Sequence, residues 1–238
     1  MTVFNINEMS EDERMALLFG ILLGDGCLSY YKRGTGRRRF CVAITGSFYD
    51  DRPFYEFVLM PLVFSLTGKK IKIKDRPKYG AIELNILNKS LFLKIESLGF
   101  NSGKKEDIQI PYEFHIDNLM RFVVAGLFST DGCLTLVNNN GTIYPRLFFT
   151  AALPSTFEFI FDYLNGLGIK TSFYSAKRIS NRGGFIRTKQ QYVLCSNGRS
   201  NLEKFAHLIG FVNPKHQTKY EKYVGLAVPR IELGTPCL

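Results

Sequence analysis

Two apolar stretches with almost the same pattern organise the chain. Leu17 to Gly26 reads LLFGILLGDG and Val123 to Gly132 reads VVAGLFSTDG. At one constant offset Gly20 matches Gly126, Gly24 matches Thr130, Asp25 matches Asp131, Gly26 matches Gly132, and Cys27-Leu28 matches Cys133-Leu134. Each copy reads as the last turns of a helix with a small residue every fourth position, closed by an aspartate and a glycine. Small residues four apart share one helix face, so Gly20 and Gly126 predict two helices packed closer than usual. The glycine after each aspartate is the residue expected to accept a positive φ where a helix ends.

Around these stretches the polar pattern predicts the remaining elements. Ser10 with Glu13 forms a capping box, so the first helix runs from there to about Gly24. From Cys27 the period changes to two, with Cys27, Ser29, Tyr31 and Arg33 on one face and Leu28, Tyr30 and Lys32 on the other. A turn at Gly34–Gly36, followed by Arg37, Arg38 and Arg39, returns into a strand of about 39–47. A helix over 53–66 is expected to bury Phe54, Phe57, Val58, Leu62 and Leu66. Lys70, Lys72 and Lys74 then alternate with Ile71 and Ile73, a strand with one cationic face. Its partner, 81–87, buries Ile82, Leu84 and Ile86 and puts Glu83 and Asn85 beside the lysines; a helix of about 90–98 closes at Gly99.

The second half repeats this order. Asp117 is the expected cap of a helix over 118–130; then come a strand from Cys133, an NNNG turn, a strand to about Ala152 and a helix over 154–167. A strand from Ile169, a basic turn holding Lys177, Arg178 and Arg182, a strand to Cys195 and a helix over 201–209 complete it. Helix, two strands, helix, two strands, helix in each half describes an α+β protein with antiparallel sheets. The last residues, AVPRIELGTPCL, show no periodicity and are expected to be a loose tail.

Charge adds a partner to this picture. The chain has 238 residues, 31 basic against 21 acidic, for a net charge of +10 and a pI of about 9.4, which points towards a polyanion. At 45% hydrophobic and 14% aromatic residues it is no disordered basic tail. Five cysteines without a CxxC pair outline neither a disulfide framework nor a zinc site, as expected of an intracellular protein. The acidic N-terminus does not read as a targeting presequence, and the Met15–Leu23 run is far shorter than the ~20 residues of a membrane span, so no membrane partner is expected.

The candidate chemistry lies where the two motifs end. A helix C-terminus carries partial negative charge, so an aspartate there is disfavoured unless a cation compensates. Two such helices packed side by side bring Asp25 and Asp131 together, and paired carboxylates suggest a divalent metal ion. The terminal carbonyls of Gly24 and Thr130 are available to the same ion.

With this doubled motif the sequence resembles the LAGLIDADG homing endonucleases in their single-chain, two-motif form, from about Ser10 to about Tyr223. The resemblance implies two pseudo-symmetric halves, 1–111 and 112–225, with 226–238 as the tail, each half a saddle-shaped antiparallel sheet joined to the other through the motif helices. It implies a monomeric, site-specific double-strand DNA endonuclease that uses Mg2+ or Mn2+ and cuts each strand across the minor groove of a long, roughly palindromic target. RNA maturation of its own intron, with intron RNA as partner, is the alternative for the same scaffold. The expected setting is the cytoplasm of a prokaryote or the organelle in which the gene lies.

Lys104 and Lys215, paired by matching Leu98-Gly99-Phe100 with Ile209-Gly210-Phe211, look like the basic residues of the family's active sites, with Lys105 and His216 as neighbouring alternatives. For the polar residue late in the second strand the candidates are Ser47, and Ala152 or Leu153. DNA contacts are expected from Ser29, Tyr31, Arg33, Arg37, Arg39, Lys70, Lys72, Lys74, Glu83 and Asn85 in the first half. In the second they are Thr135, Asn139, Arg146, Lys170, Ser172, Arg187, Lys189 and Gln191. Arginine and lysine suit guanine, and asparagine or glutamine suit adenine, in a major groove that admits a two-stranded ribbon.

Overall fold

A computed structural model describes residues 4–33, 36–103, 105, 108–115, 118–151, 154–182 and 185–227. Helix α1 (Glu11–Asp25) starts at the expected capping box: Ser10 Oγ accepts from Glu13 N at 3.2 Å and Glu13 Oε2 accepts from Ser10 N at 2.8 Å. Every residue from Met15 to Leu23 is buried, so α1 is covered on all sides and not amphipathic. Helix α5 (Met120–Asp131) is its counterpart and begins without a side-chain cap; Asp117, the expected cap, lies outside the described residues.

Each motif helix feeds a four-stranded antiparallel sheet. The first holds β1 (Gly26–Arg33), β2 (Arg37–Ser47), β3 (Ile73–Arg76) and β4 (Ala81–Ile86) in the order β1-β2-β4-β3. The second holds β5 (Gly132–Asn139), β6 (Thr142–Ala151), β7 (Ser172–Arg182) and β8 (Phe185–Asn197) in the matching order β5-β6-β8-β7. Leu28, Val42, Ile44, Ile82, Leu84 and Ile86 line the inner face of the first sheet, and Leu134, Leu147, Phe149 and Leu194 that of the second. α4 (Lys89–Ser97), α6 (Pro154–Gly166) and α7 (Arg199–Leu208) share their core. Asn140 and Gly141, both at positive φ, make the tight β5–β6 turn, which fits the right-handed twist of the flanking strands. Among the described residues no helix is long and apolar enough to cross a membrane.

Four expectations change. The helix over 53–66 is three segments in succession: α2 (Arg52–Phe54), a π-helical stretch (Tyr55–Leu59) and α3 (Met60–Thr67). The extra residue per turn moves the core face to Phe54, Tyr55, Leu59, Leu62 and Val63, and leaves Phe57 71% exposed. The KKIKIK alternation is only partly a strand, because β3 starts at Ile73 and pairs with β4 alone; Lys70 and Lys72 precede it. The residues Lys177 and Arg178 lie within β7, not in a turn, and Arg182 ends it, because β7 and β8 extend as a long two-stranded ribbon. Helix α8 (Pro214–Ala227) was not expected; Asn213 and Pro214 are its start signals. The expected tail beyond it, 228–238, lies outside the described residues.

The glycines behave as required at the helix interface. A Cβ on Gly20 would overlap the carbonyl of Val123, and one on Gly126 would overlap the carbonyl of Leu17. Gly26 and Gly132 serve differently from expectation: φ is −85° and −86°, extended backbone open to any residue. Space excludes a side chain there, since a Cβ would run into Leu22 in one case and Phe128 in the other.

Gly126→Ala should lower stability by about 3 kcal/mol or more, because α1 and α5 must separate to admit the methyl group. Gly166→Ala, at the end of α6 with open space around it, should leave stability unchanged or raise it by about 0.5–1 kcal/mol. Thermal or urea denaturation of the two variants reads the difference.

Candidate active site

The paired motif helices end together. A Cβ on Gly24 would meet Thr130 Oγ1 and stand 3.3 Å from Asp131 Cγ, so the penultimate residue of α1 faces the second motif's carboxylate. Asp25 and Asp131 therefore sit side by side at one end of α1 and α5, as expected. Burial raises the Asp25 pKa to about 6, assisted by the charge of Asp51 and opposed by Lys105 and Lys215. Asp131 rises to about 7, first through burial, then through repulsion from Asp25, with Lys105 opposing. Burial is the first cause of both shifts, and the like charge that adds to it is Asp51 for Asp25 and Asp25 for Asp131.

The cations around the pair differ from the expected set. Lys104 lies outside the described residues, and Lys105 is the lysine at the site. Its Nζ donates to the carbonyl of Leu23 at 3.0 Å and, in a shorter contact, to that of Gly24, and burial lowers its pKa. A cation on the last carbonyls of a helix is the favourable arrangement for the negative dipole end. At the end of α5 the corresponding place is taken by a neutral amide: Asn213 Nδ2 donates to the carbonyl of Ser129 at 2.8 Å. By role, then, Lys105 pairs with Asn213, whereas matching the sequences had paired Lys104 with Lys215.

Lys215 reaches the site through a residue the sequence reading had not singled out. Its Nζ binds Asp51 Oδ1 at 2.8 Å, and Asn213 Nδ2 lies 3.3 Å from the same oxygen. Asp51 is 7% exposed, and its Oδ2 accepts from Ser47 N at 2.8 Å. An aspartate just ahead of Arg52-Pro53 reads as ordinary helix-start chemistry, so nothing local announces a contact with a residue 164 positions away. Ser47, the candidate polar residue, holds Asp51 through its main-chain N–H alone, while its hydroxyl donates to Asp50 Oδ2 at 3.3 Å; Ala152 and Leu153 lie outside the described residues. His216 is buried against the Phe128 ring, 4.8 Å between centroids, and burial lowers its pKa to about 3. It is a neutral packing residue, unsuited to acid–base work near pH 7.

The strand registers settle the outward faces. Directly opposed residues of an antiparallel pair share a face. Tyr31↔Arg39 and Ser29↔Cys41 on β1–β2, Lys74↔Glu83 on β3–β4 and Thr135↔Arg146 on β5–β6 all lie away from the core. Ser172↔Cys195, Ala176↔Gln191, Arg178↔Lys189 and Ser180↔Arg187 carry the same parity out along β7–β8. Asn85 faces the same way on β4, and Arg33, Arg37 and Asn139 hold outward register positions. Lys70, Lys72 and Lys170 stand just before the strands, exposed. Arg76, Tyr144 and Tyr174 are outward residues absent from the expected set; register, not composition, reveals them, and the two tyrosines are about half exposed.

Residues 118–210 match the family model for a LAGLIDADG-like domain, and the first half repeats its motif and its sheet order. The second half thus carries a LAGLIDADG-like domain, and the first half holds a second copy of the motif. Among solved structures it is similar to I-DmoI in complex with DNA and Ca, at 19% identity and a TM-score of 0.61 over 88% of this chain and 98% of that one. The I-LtrWI LAGLIDADG homing endonuclease bound to target DNA matches at 13% identity and a TM-score of 0.56, covering 93% of this chain and 90% of that one. The meganuclease I-SmaMI bound to uncleavable DNA matches at 14% and 0.54, covering 89% and 88%. A search of curated protein sequences finds no match.

The raised carboxylates have a consequence for stability. Unfolded aspartate titrates near about 3.9, so between there and pH 6–7 the folded chain holds protons that the unfolded chain has lost. Stability contributed by these protons is present at low pH and is lost as pH rises through the folded values. In EDTA, Asp131→Asn should therefore melt a few degrees above wild type at pH 8, a lead that closes towards pH 4.5. Melting curves across pH for the two proteins give the comparison.

Proposed function

We propose that the chain is a metal-dependent, site-specific double-strand DNA endonuclease that hydrolyses one phosphodiester on each strand across the minor groove of a long, roughly palindromic target. The observation that carries this reading is the placement of Asp25 and Asp131 side by side at the end of a glycine-packed helix pair. The described residues fit a hard divalent ion such as Mg2+ or Mn2+. Two carboxylates that repel each other gain from a cation between them, and the carbonyls of Leu23 and Gly24 already receive the ammonium of Lys105. Among the described residues no cluster of three or more His, Cys, Asp or Glu side chains forms a protein-only cage. That matches the habit of Mg2+, which takes one or two carboxylates and completes its shell with water and phosphate. One similar structure, of I-DmoI, contains DNA and Mn.

Asp25 and Asp131 would hold the ion, with the Gly24 and Thr130 carbonyls beside them. When bound, the ion supplies a nucleophilic water at neutral pH and stabilises charge on the phosphate. The chain's own part is placement. Lys105 and Lys215 bring fixed positive charge to the point where negative charge builds up as the phosphodiester is attacked. The outward faces of the two sheets track the duplex, with Arg39, Lys74, Arg146 and Lys170 available to phosphates and base edges. Because the halves differ at most outward positions, the preferred site is long and only approximately symmetric. Both motifs lie on one chain, so a monomer suffices.

With Mg2+ and a cognate duplex the protein should cut both strands. Asp25→Asn and Asp131→Asn should each lower the rate by more than about 100-fold while binding in Ca2+ is retained. Variants that cut like wild type would end the proposal. Affinity should fall steeply with salt, with a log–log slope of about −0.9 for each phosphate contacted; filter binding at 50–200 mM KCl measures it.

A further inference from the structure

Lys105 and Lys215 are held by unlike devices. The Lys105 ammonium rests on main-chain carbonyls of α1, whose positions the helix fixes. Lys215 rests on a side chain, Asp51, that belongs to the other half of the molecule. Asp51 in turn is anchored from three directions: by Ser47 N at 2.8 Å where β2 ends, by Asn213 Nδ2 at 3.3 Å, and by Lys215 Nζ at 2.8 Å. Two of these donors flank the start of α8, and Asn213 also holds the last turn of α5 through the Ser129 carbonyl. The side chains of Asp51 and Lys215 are 11% and 30% exposed, so the pair is shielded from competing solvent, unlike the molecule's surface ion pairs.

We propose that Asp51 is a positioning residue that fixes the Lys215 ammonium beside Asp25, and so equips one of the two strand-cutting sites with a cation that the fold alone would not place there. This rests on the endonuclease reading above. Three features of the structure support it. A buried carboxylate needs a partner, and among the described residues Lys215 is the side-chain cation hydrogen-bonded to Asp51. Asp51 and Lys215 lie near enough to Asp25 to act on its charge, and Asn213, bound to the same Asp51 oxygen as Lys215, ties the pair to the last turn of α5 where the two motif helices end. Among the described residues the second half shows no equivalent carboxylate: at the start of α6 the buried Thr156 hydroxyl donates to the Ile108 carbonyl at 3.0 Å. A lysine side chain with about four free torsions samples many rotamers, and an anchored carboxylate removes that freedom before substrate arrives.

The test is strand-resolved, single-turnover cleavage of a cognate duplex labelled on each strand, in Mg2+, with wild type, Asp51→Asn, Lys215→Met and the double variant. Asp51→Asn and Lys215→Met should slow the same strand by about tenfold or more and the other by less than about threefold, with affinity in Ca2+ unchanged. The double variant should be no slower than Lys215→Met alone, since the two residues act as one unit. In metal-free protein without DNA, the losses in melting temperature should likewise be less than additive. Equal slowing of both strands, or multiplicative effects in the double variant, overturns the proposal. Should Asp51→Asn fail to fold, Lys215→Met alone decides, because a loss spread over both strands contradicts it. Wild-type protein that cuts neither strand defeats the endonuclease reading instead, and the melting cycle then still reports whether Asp51 and Lys215 form a coupled pair.

Discussion

The distance between α1 and α5 is set by main-chain atoms rather than by side chains. Where Gly20 crosses Val123 and Gly126 crosses Leu17, each helix uses the other's backbone as its contact surface. Side-chain interfaces of leucine and phenylalanine deform when one residue changes size, whereas carbonyl against Cα leaves little slack. That rigidity is what an acidic pair needs, because two carboxylates forced together tend to splay apart. The cost shows in the raised pKa values of Asp25 and Asp131, which come first from burying each carboxylate and then from a neighbouring like charge.

Much of the architecture was legible because it obeys short-range rules. The capping box at Ser10, the period-two strands after each motif, the Asn140-Gly141 turn and the buried triad Ile82, Leu84 and Ile86 all follow from neighbours in sequence. So did the meeting of the two aspartates, since the glycine spacing repeats in both copies. What could not be read was long-range or register-breaking. A π-helical stretch at Tyr55–Leu59 has no marker in the hydrophobic pattern, and it alone turned Phe57 outward. Asp51 looked like a helix start because its partners, Asn213 and Lys215, come from the far end of the chain.

Pseudo-symmetry in this molecule is strict in strand order and loose in chemistry. The sheets share strand order and the motif helices share their glycines, yet one helix terminus is closed by an ammonium and the other by an amide. Matching the two halves by sequence aligned lysine with lysine; the folded chain aligns Lys105 with Asn213 and brings the second lysine in by another route. Duplicated halves keep what the backbone needs and diverge where only charge or hydrogen bonding must be supplied, for which several side chains serve.

The short strand β3 closes one side of the first sheet, and among the described residues no strand lies beside its outer edge. Such an edge invites a second molecule to add its own strand and begin aggregation. Lys72 and Lys74 put positive charge along that border, while Arg76 is paired with Glu83 at 3.2 Å, so identical copies repel there and a polyanion is welcomed. Residues that would neutralise phosphates thus also act as a solubility guard when no nucleic acid is at hand, and a protein rebuilt for a new target by removing them would be expected to precipitate before it lost affinity.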